Sequence, residues 1–263
     1  MVDYNEYMQV YYEDRQFLKQ KKGIPYKFYL ILLLSGLLGV FTFYAIAYSS
    51  IFHIRDFSVV GSERFSNEAV ISELQPLVLN TKIKNFLGIN NLLVWDSGPD
   101  VAGTVFLEAS IERQWLRQSV IIRIKERNQF AVWCRTGNCY WIDENATAFE
   151  DAPQTEGPLI LTIYDDGKEG IVIGQKIVEE RSAENMMNIL NGILDMGITV
   201  RNISYNEKLQ EITAEMISGP DIYFSIRFDP SLNLTALQTL KEKVGFKGIK
   251  YIDLRVENRI YYK

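Results

Sequence analysis

The residue types that could do chemistry are scarce in this chain, and the clearest pair is Cys134 and Cys139. They flank Arg135-Thr136-Gly137-Asn138, a four-residue connection with turn chemistry between two apolar, aromatic runs. A hairpin there would place the two side chains opposite each other, where a disulfide closes a small loop and contributes about 2 kcal/mol. A redox-active dithiol is disfavoured, because there is neither C-x-x-C spacing nor a helix N-terminus to activate a thiol. We therefore expect a structural disulfide, with free thiols as the alternative where the compartment does not oxidise them.

The other candidate residues form no catalytic set. His53, the only histidine, is isolated beside an apolar segment, and a zinc site built on the two cysteines would lack two further ligands. Asp165-Asp166 could be an acid/base pair, but neighbours on a strand point apart and Gly167 marks a turn, so we expect a solvated loop. No phosphate-binding, nucleophile-elbow or metalloprotease motif occurs. The sequence predicts a protein that is not an enzyme, without cofactor, metal or small-molecule substrate.

Composition narrows the class of protein further. The chain has 263 residues, a hydrophobic fraction of 47% and a net charge of −5. That hydrophobic fraction is too high for a disordered protein and too low for a membrane protein with many spans. The negative charge argues against nucleic acid as a partner, because binding phosphates needs a surplus of Lys and Arg. Aromatic residues make up 13% of the chain, which favours a fold rich in β-strands.

An uncharged apolar segment runs from Phe28 to Phe52. A helix of that length rises about 37 Å, enough to cross a hydrocarbon core of about 30 Å. Tyrosines, which favour the membrane–water interface, stand near both ends: Tyr26, Tyr29, Tyr44 and Tyr48. The segment predicts one transmembrane helix over 28–52, and Ala45-Ile46-Ala47 leaves a cleaved signal peptide as the alternative.

Charge asymmetry predicts the orientation of this helix. Five basic residues precede it: Arg15, Lys19, Lys21, Lys22 and Lys27. Only Arg55 lies close on the other side, where Asp56 offsets it. The positive-inside rule then places a tail, residues 1–27, in the cytoplasm and everything after about Phe52 outside it.

The first part of the exported chain predicts a strand, two helices and two strands. The strand ends at Gly61, Ser66 is a helix N-cap, and Pro76 should end or kink the first helix near Gln75. The second helix is expected within 83–95, and strands are expected over 105–113 and 119–127.

The strand over 119–127 has two chemically different faces. Val120, Ile122 and Ile124 alternate with three basic residues: Arg123, Lys125 and Arg127. We expect a solvated charged face, with a functional basic patch as the alternative.

Strand patterns dominate from Gln129 onward. The hairpin around 135–138 comes first, and further strands are predicted over 159–163, 198–205, 210–216 and 221–228. Helices are predicted from Ser182 to about Gly197 and over 232–244. The chain then ends in two strands around a tight turn near Glu257-Asn258.

The order of these elements and several local segments resemble the FtsQ/DivIB family of bacterial cell-division proteins. The segments are FSVVG followed by Ser66, SIERQWLRQSVIIRIKERNQFAVW, WIDENATAF, and Ile252-Asp253-Leu254-Arg255 with Arg259-Ile260-Tyr261-Tyr262. The resemblance covers nearly the whole chain. Two connections depart from the family pattern: Leu116 stands where a proline is common, and Asn145-Ala146 replaces an expected glycine.

The resemblance implies an α+β fold with a single transmembrane helix and two further modules. These are a small POTRA-type α+β module over 53–128 and a mixed, mainly antiparallel β-domain with flanking helices over 129–263. It also implies a non-catalytic scaffold that sits in the plasma (inner) membrane at the division septum and binds FtsB-like and FtsL-like proteins. The alternative is a generic membrane-anchored POTRA interaction module of envelope assembly or secretion.

The same resemblance locates partner binding at the C-terminal edge of the β-domain. The candidate residues are Arg255, Arg259, Ile260, Tyr261 and Tyr262. An unpaired edge strand can accept a strand from a partner, and the two adjacent tyrosines would point to opposite faces as aromatic anchors. The alternative is that both tyrosines pack on their own sheet.

Overall fold

The structure is a computed structural model that describes residues 25–95, 98–154 and 159–263. Contacts divide the chain into two units, residues 1–53 and 54–263. Most of the predicted tail lies outside the described residues, including four of the basic residues on which the predicted orientation rests: Arg15, Lys19, Lys21 and Lys22.

The apolar segment forms one helix, α1, from Tyr26 to Tyr48. In the described part of the chain it alone is long and apolar enough to cross a membrane, and none of its residues is buried. Its 23 residues rise about 34 Å. The helix ends four residues before the predicted Phe52, because Ser49 is extended and its hydroxyl accepts the Ile51 N–H (3.2 Å) instead of continuing the helix.

Residues 54–263 form an α+β unit with two sheets. The smaller sheet has three strands: β1 (Asp56–Val60), β2 (Phe106–Gln114) and β3 (Ser119–Glu126). β3 lies in the middle, parallel to β1 and antiparallel to β2. As predicted, Val120, Ile122 and Ile124 are buried in the core of this sheet.

Two helices and a short turn connect β1 to β2. α2 (Asn67–Val78) begins as predicted, with the Ser66 hydroxyl accepting the Ala69 N–H (3.3 Å). It continues past Gln75 to Val78, so Pro76 does not end the helix there, which was one of its two predicted effects. Pro76 lies in the last turn on the exposed side, where water can bind the carbonyl that the proline leaves unpaired.

The second predicted helix is shorter than expected. α3 (Lys82–Leu87) ends at Gly88, which has a φ of +77°. A separate 3₁₀ turn, Leu92–Val94, follows where the Asn91 side chain accepts the Leu93 N–H (3.0 Å). The predicted helix over 83–95 is therefore two short pieces.

The larger sheet has nine strands. Their bounds are β4 (Ala131–Arg135), β5 (Asn138–Ile142), β6 (Ala148–Asp151), β7 (Thr162–Asp165), β8 (Val200–Asn206), β9 (Glu211–Met216), β10 (Asp221–Ser225), β11 (Tyr251–Leu254) and β12 (Tyr261–Tyr262). The strand order is β12-β11-β10-β9-β8-β7-β4-β5-β6. In the described residues five neighbouring pairs are antiparallel and three are parallel, so the sheet is mixed.

One face of the nine-stranded sheet packs on two helices, α4 (Glu180–Asp195) and α5 (Ser231–Lys243). The core contains Met186 and Leu190 of α4, Leu237 of α5, and Ile203 and Ile222 of the sheet, all of them fully buried. Both helices were predicted to within two residues at their starts. β6 was not predicted, since its four residues, AFED, are too short to show an alternating pattern.

The hairpin between β4 and β5 is tighter than the predicted four-residue connection. Arg135 pairs with Asn138, so only Thr136 and Gly137 remain in the turn. Their φ angles are +50° and +87°, which fits the two-residue turn whose twist matches a hairpin.

The basic face predicted for β3 is only partly solvated. Arg123 is half exposed and pairs with Glu112 (2.7 Å). The side chain of Arg127, just beyond β3, is instead 9% exposed and forms an ion pair of 2.5 Å with Asp143, which follows β5 of the larger sheet. The solvated-face prediction is therefore wrong for Arg127, because the nine-stranded part of the fold covers it.

Glu126, the last residue of β3, binds the loop that follows β1. Its carboxylate accepts the backbone N–H of Glu63 (2.9 Å) and Arg64 (3.1 Å) and the Ser62 hydroxyl (2.9 Å). Burial raises the pKa of Glu126, but these hydrogen bonds outweigh it and lower the pKa below its usual 4.5.

Glu126→Gln tests this contribution. A carboxyl whose folded pKa is lowered stabilises the fold above its unfolded pKa, and this stability is lost as pH falls through the folded pKa. We expect the variant to lose about 1–2 kcal/mol of unfolding free energy at neutral pH and to lose less than the natural protein on acidification below 4.5. Urea unfolding of the detergent-solubilised protein, at neutral pH and below pH 4.5, measures the unfolding free energy of the variant and of the natural protein.

Glu112→Gln is the matched control, since Glu112 forms the half-exposed pair with Arg123 on the same two strands. Its effect should stay below about 1 kcal/mol at either pH. An acid response of the Glu126→Gln variant equal to that of the natural protein would contradict the assignment.

Candidate partner-binding edge

The two edges of the nine-stranded sheet differ. β6 is covered: Gly174 N–H donates to the Ala148 carbonyl (2.7 Å), and Ala148 N–H donates to Gln175 (3.2 Å). β12 pairs with β11, and within residues 25–95, 98–154 and 159–263 no strand pairs with its other side. The predicted two strands and turn are present, and Asn258 takes the positive φ (+58°) that the turn requires. β12 is therefore the open edge of this sheet.

The register determines which backbone groups of β12 face outward. Lys263 N–H donates to the Tyr251 carbonyl (3.3 Å), so the backbone of Lys263 faces β11. Inward and outward residues alternate along an antiparallel strand. Tyr262 therefore turns its N–H and C=O away from β11, toward the position that a further strand would occupy.

The two tyrosines of β12 lie on opposite faces, as predicted. Tyr261 is paired with Asp253, and Tyr262 is paired with Ile252, whose side chain is in the core. The side chains of Tyr261 and Tyr262 are 47% and 52% exposed. Each ring thus rests partly on the sheet and leaves about half of its surface available.

Arg255 is held in place by its own sheet. Its guanidinium donates twice to the Asp253 carboxylate (2.9 and 2.6 Å) and once to Glu211 (3.2 Å), and it lies 5.1 Å from the centre of the Tyr223 ring. The bonds from Arg255 lower the pKa of Asp253 despite its partial burial, and Asp253 in turn raises the pKa of Arg255. With 40% of the side chain exposed, this arginine presents a fixed positive charge close to β12.

The other two predicted site residues have different surroundings. Arg259 is exposed and donates to the Tyr261 hydroxyl (3.3 Å). Ile260 is half-buried and packs on the core of the nine-stranded sheet. Ile260 therefore attaches the last strand to its own fold, and Arg259 is the more accessible of the pair.

Strand register reveals residues beside this edge that sequence reasoning missed. Directly paired positions share a face, so Tyr261, Asp253 and Tyr223 form one row that continues on the open side of the sheet to Thr213, Ser204 and Tyr164. A depression of about 450 Å³ lies along this row and includes Tyr164, Tyr223 and Arg255 in its lining. Alternation within each strand indicates which of its residues share a face. Only the pairing order of the strands shows that these residues form one row.

The cysteines lie far from this edge. Cys134 and Cys139 are direct partners across β4 and β5 and are joined by a disulfide. Five strands separate β4 from β12. Both cysteines are at most 7% exposed, so their contribution is to the hairpin and not to the partner-binding edge.

Asp165 is buried, which makes the predicted solvated loop wrong for this residue. Its side chain is 0% exposed and forms an ion pair with Arg135, and it accepts hydrogen bonds from Trp133 Nε1 (2.9 Å) and Gly167 N–H (2.8 Å). Burial is the largest cause, and the charge of Asp165 the second, that raises the pKa of the neighbouring Tyr205 to about 12. The prediction failed because the partner, Arg135, is 30 residues away in the chain.

Comparison of the chain with protein-family models and with curated proteins found no match. Among the described residues, no three His, Cys, Asp or Glu side chains are grouped so as to hold a metal ion. The candidate site therefore rests on the geometry of the β12 edge itself.

Asp165→Asn tests the buried pair. The change keeps the size of the side chain but leaves the buried Arg135 guanidinium with only the half-exposed Glu207 carboxylate, 3.9 Å away, as a counter-charge. We therefore expect a loss of about 3–5 kcal/mol in unfolding free energy. Asp166→Asn is the matched control: Asp166 is exposed, and an amide oxygen can still accept the Glu207 N–H, so the change should stay within about 0.5 kcal/mol. Denaturant unfolding of both variants compares them; equal effects would argue that the pair contributes little.

Proposed function

We propose that the chain is a membrane-anchored, non-catalytic scaffold of bacterial cell division that binds an extracytoplasmic partner by strand addition to β12. The observation that carries this proposal is the open side of β12, with the N–H and C=O of Tyr262 directed toward it. A backbone edge of this kind favours an extended partner segment, because main-chain hydrogen bonds supply affinity without a preformed pocket.

The side chains around β12 would supply specificity. An added strand would lie beside Tyr261 on one face of the sheet and Tyr262 on the other. Half-exposed aromatic rings lose little conformational entropy on binding, which makes them effective anchors. Arg255, fixed by Asp253 and Glu211, adds a positive charge that favours an acidic residue in the partner segment.

The anchor and the family resemblance support the cellular role. α1 has the length and composition of a single membrane span, and the basic residues before it favour a cytoplasmic N-terminus. The terminal segment from Ile252 to Tyr262 resembles the closing motif of the FtsQ/DivIB family. We therefore propose FtsB-like and FtsL-like proteins as partners and the division septum in the plasma membrane as the location, with residues 54–263 outside the cytoplasm.

A second candidate function is a general interaction module of envelope assembly or secretion. The observation in its favour is the edge strand β1, whose outer side is unpaired in the described residues and whose Val60 is 51% exposed. β1 is the second place on this chain where a partner strand could add.

Tyr262→Pro, compared with Tyr262→Ala, tests strand addition at β12. Both changes remove the aromatic ring, but proline also removes the outward N–H while leaving the hydrogen bonds between β11 and Lys263 in place. We expect the FtsB-like protein of the same organism to bind the alanine variant moderately less well than the natural protein, and the proline variant about tenfold less well again. Binding of the full-length protein in detergent, measured by biolayer interferometry, gives the three affinities.

The unfolding midpoints of the alanine and proline variants should match each other, since both lack the ring and Tyr262 contributes no backbone hydrogen bond to β11. Equal partner affinities for the alanine and proline variants would exclude strand addition at this edge. Proline in place of Ser58 in β1 provides the same comparison for the second candidate edge.

Cellular location separates the two candidate functions. We expect a fluorescent protein fused to the N-terminus, expressed at the native level, to form a band at the constriction site. The fusion must first be shown to be intact and functional. Uniform fluorescence around the envelope would reject recruitment to the septum and favour the general interaction module.

A further inference from the structure

The turn between β2 and β3 presents an unusual combination of exposed side chains. Leu116 is fully exposed and Trp115 is 47% exposed. Arg113 and Arg117 flank them, and the Arg113 guanidinium lies 5.1 Å from the centre of the Trp115 ring. No acidic residue occurs within 113–118. A turn in contact with water alone would gain nothing from exposing both a leucine and a tryptophan at its tip.

This turn lies at the end of the small sheet where the chain arrives from α1. Arg55 N–H donates to the Gln118 carbonyl (2.8 Å), and Asp56 is paired with Ser119. Only six residues separate Tyr48, the last residue of α1, from Arg55, so the two Cα atoms are at most about 25 Å apart even when the chain is fully extended. If α1 spans a bilayer, the covalent chain keeps the β2–β3 turn close to the surface from which the helix emerges.

α3 adds a second group of the same character at this end. Ile83 and Phe86, one helical turn apart, are 68% and 55% exposed. Lys82 precedes Ile83, and Lys84 lies between the two apolar residues. The loop after α3 is tied to the same point, because the Asn90 carbonyl accepts the Ile54 N–H (2.8 Å).

We propose that the turn at 113–118, together with α3, is a membrane-contact surface that binds the lipid leaflet from which α1 emerges. Tryptophan favours the interface between headgroups and acyl chains, and leucine gains from burial among the acyl chains. The arginines and lysines complement anionic lipid phosphates, each worth about a fivefold gain in occupancy. This inference rests on the membrane anchor of the proposed function, but not on cell division or on the β12 edge.

The contact would fix the direction of the small sheet. The turn is at one end of β3, and Arg127, whose ion pair with Asp143 joins the small sheet to the larger one, is just beyond the other end. A helix alone leaves the exported unit free to rotate about its short connection, whereas a second contact at the membrane restricts that rotation. The surface would thus orient the whole exported unit.

Depth-resolved fluorescence of the full-length protein in lipid nanodiscs tests this proposal. Leu116→Cys, labelled with an environment-sensitive dye, should show blue-shifted emission and strong quenching by lipids that carry a nitroxide near the headgroup. Leu209→Cys is the matched control, since Leu209 is also an exposed leucine in a β-turn, between β8 and β9; its label should remain unquenched. Adding Arg113→Gln and Arg117→Gln should lower the lipid-bound fraction about fivefold each in discs with phosphatidylglycerol.

Phe41→Cys, in the middle of α1, separates the two ways in which the proposal can fail. Quenching at position 41 without quenching at 116 would leave the anchor intact and overturn the membrane-contact surface alone. No quenching at position 41 would overturn the anchor and, with it, this inference. Since Leu116 is fully exposed, its replacement leaves the core unchanged, and the unfolding midpoint of the labelled protein verifies this.

Discussion

The arrangement of residues 54–263 depends on one ion pair, Arg127 with Asp143. The guanidinium reaches the Asp143 carboxylate at 2.5 Å and also donates to the carbonyls of Thr104 and Phe106. Asp143 accepts in addition the N–H of Thr147 (2.9 Å). Both side chains are less than a tenth exposed, so neither can be separated from the other without leaving a desolvated charge. This pair joins two sheets that have separate hydrophobic cores, and the hydrogen bonds of Glu126 beside it hold the end of β3 to the loop after β1.

The parts of this fold that could be predicted are those set by residues close in sequence. Alternation in β3 identified its buried face, Ser66 identified the start of α2, and the terminal YIDLRVENRIYYK gave two strands and their turn. The failures at Arg127 and Asp165 share one cause, which is that residues distant in sequence decide whether the side chain is buried. Arg127 and Asp165 look solvated until Asp143 and Arg135 are placed beside them.

The candidate site also has features that nearby residues predict and features that depend on residues distant in sequence. An exposed last strand follows from the sequence, but the openness of its edge does not, because that depends on which strand becomes its neighbour. The same is true of β6, another short strand, whose edge is closed by Gly174 and Gln175. Tyr223 and Glu211, which hold Arg255 in place, come from two other strands and carry no recognisable motif.

The proposed scaffold function has two requirements, attachment to a membrane and presentation of an edge strand, and different parts of the fold would meet them. The start of β3 is tied to the chain that arrives from α1, whereas β12 ends the nine-stranded sheet beyond the Arg127–Asp143 junction. A rigid junction matters for this arrangement, because an edge strand can present its backbone to a tethered partner only if its height and direction above the membrane are restricted. The buried charges at the junction fix the two sheets relative to each other, and the proposed membrane-contact surface would restrict their height and direction above the membrane.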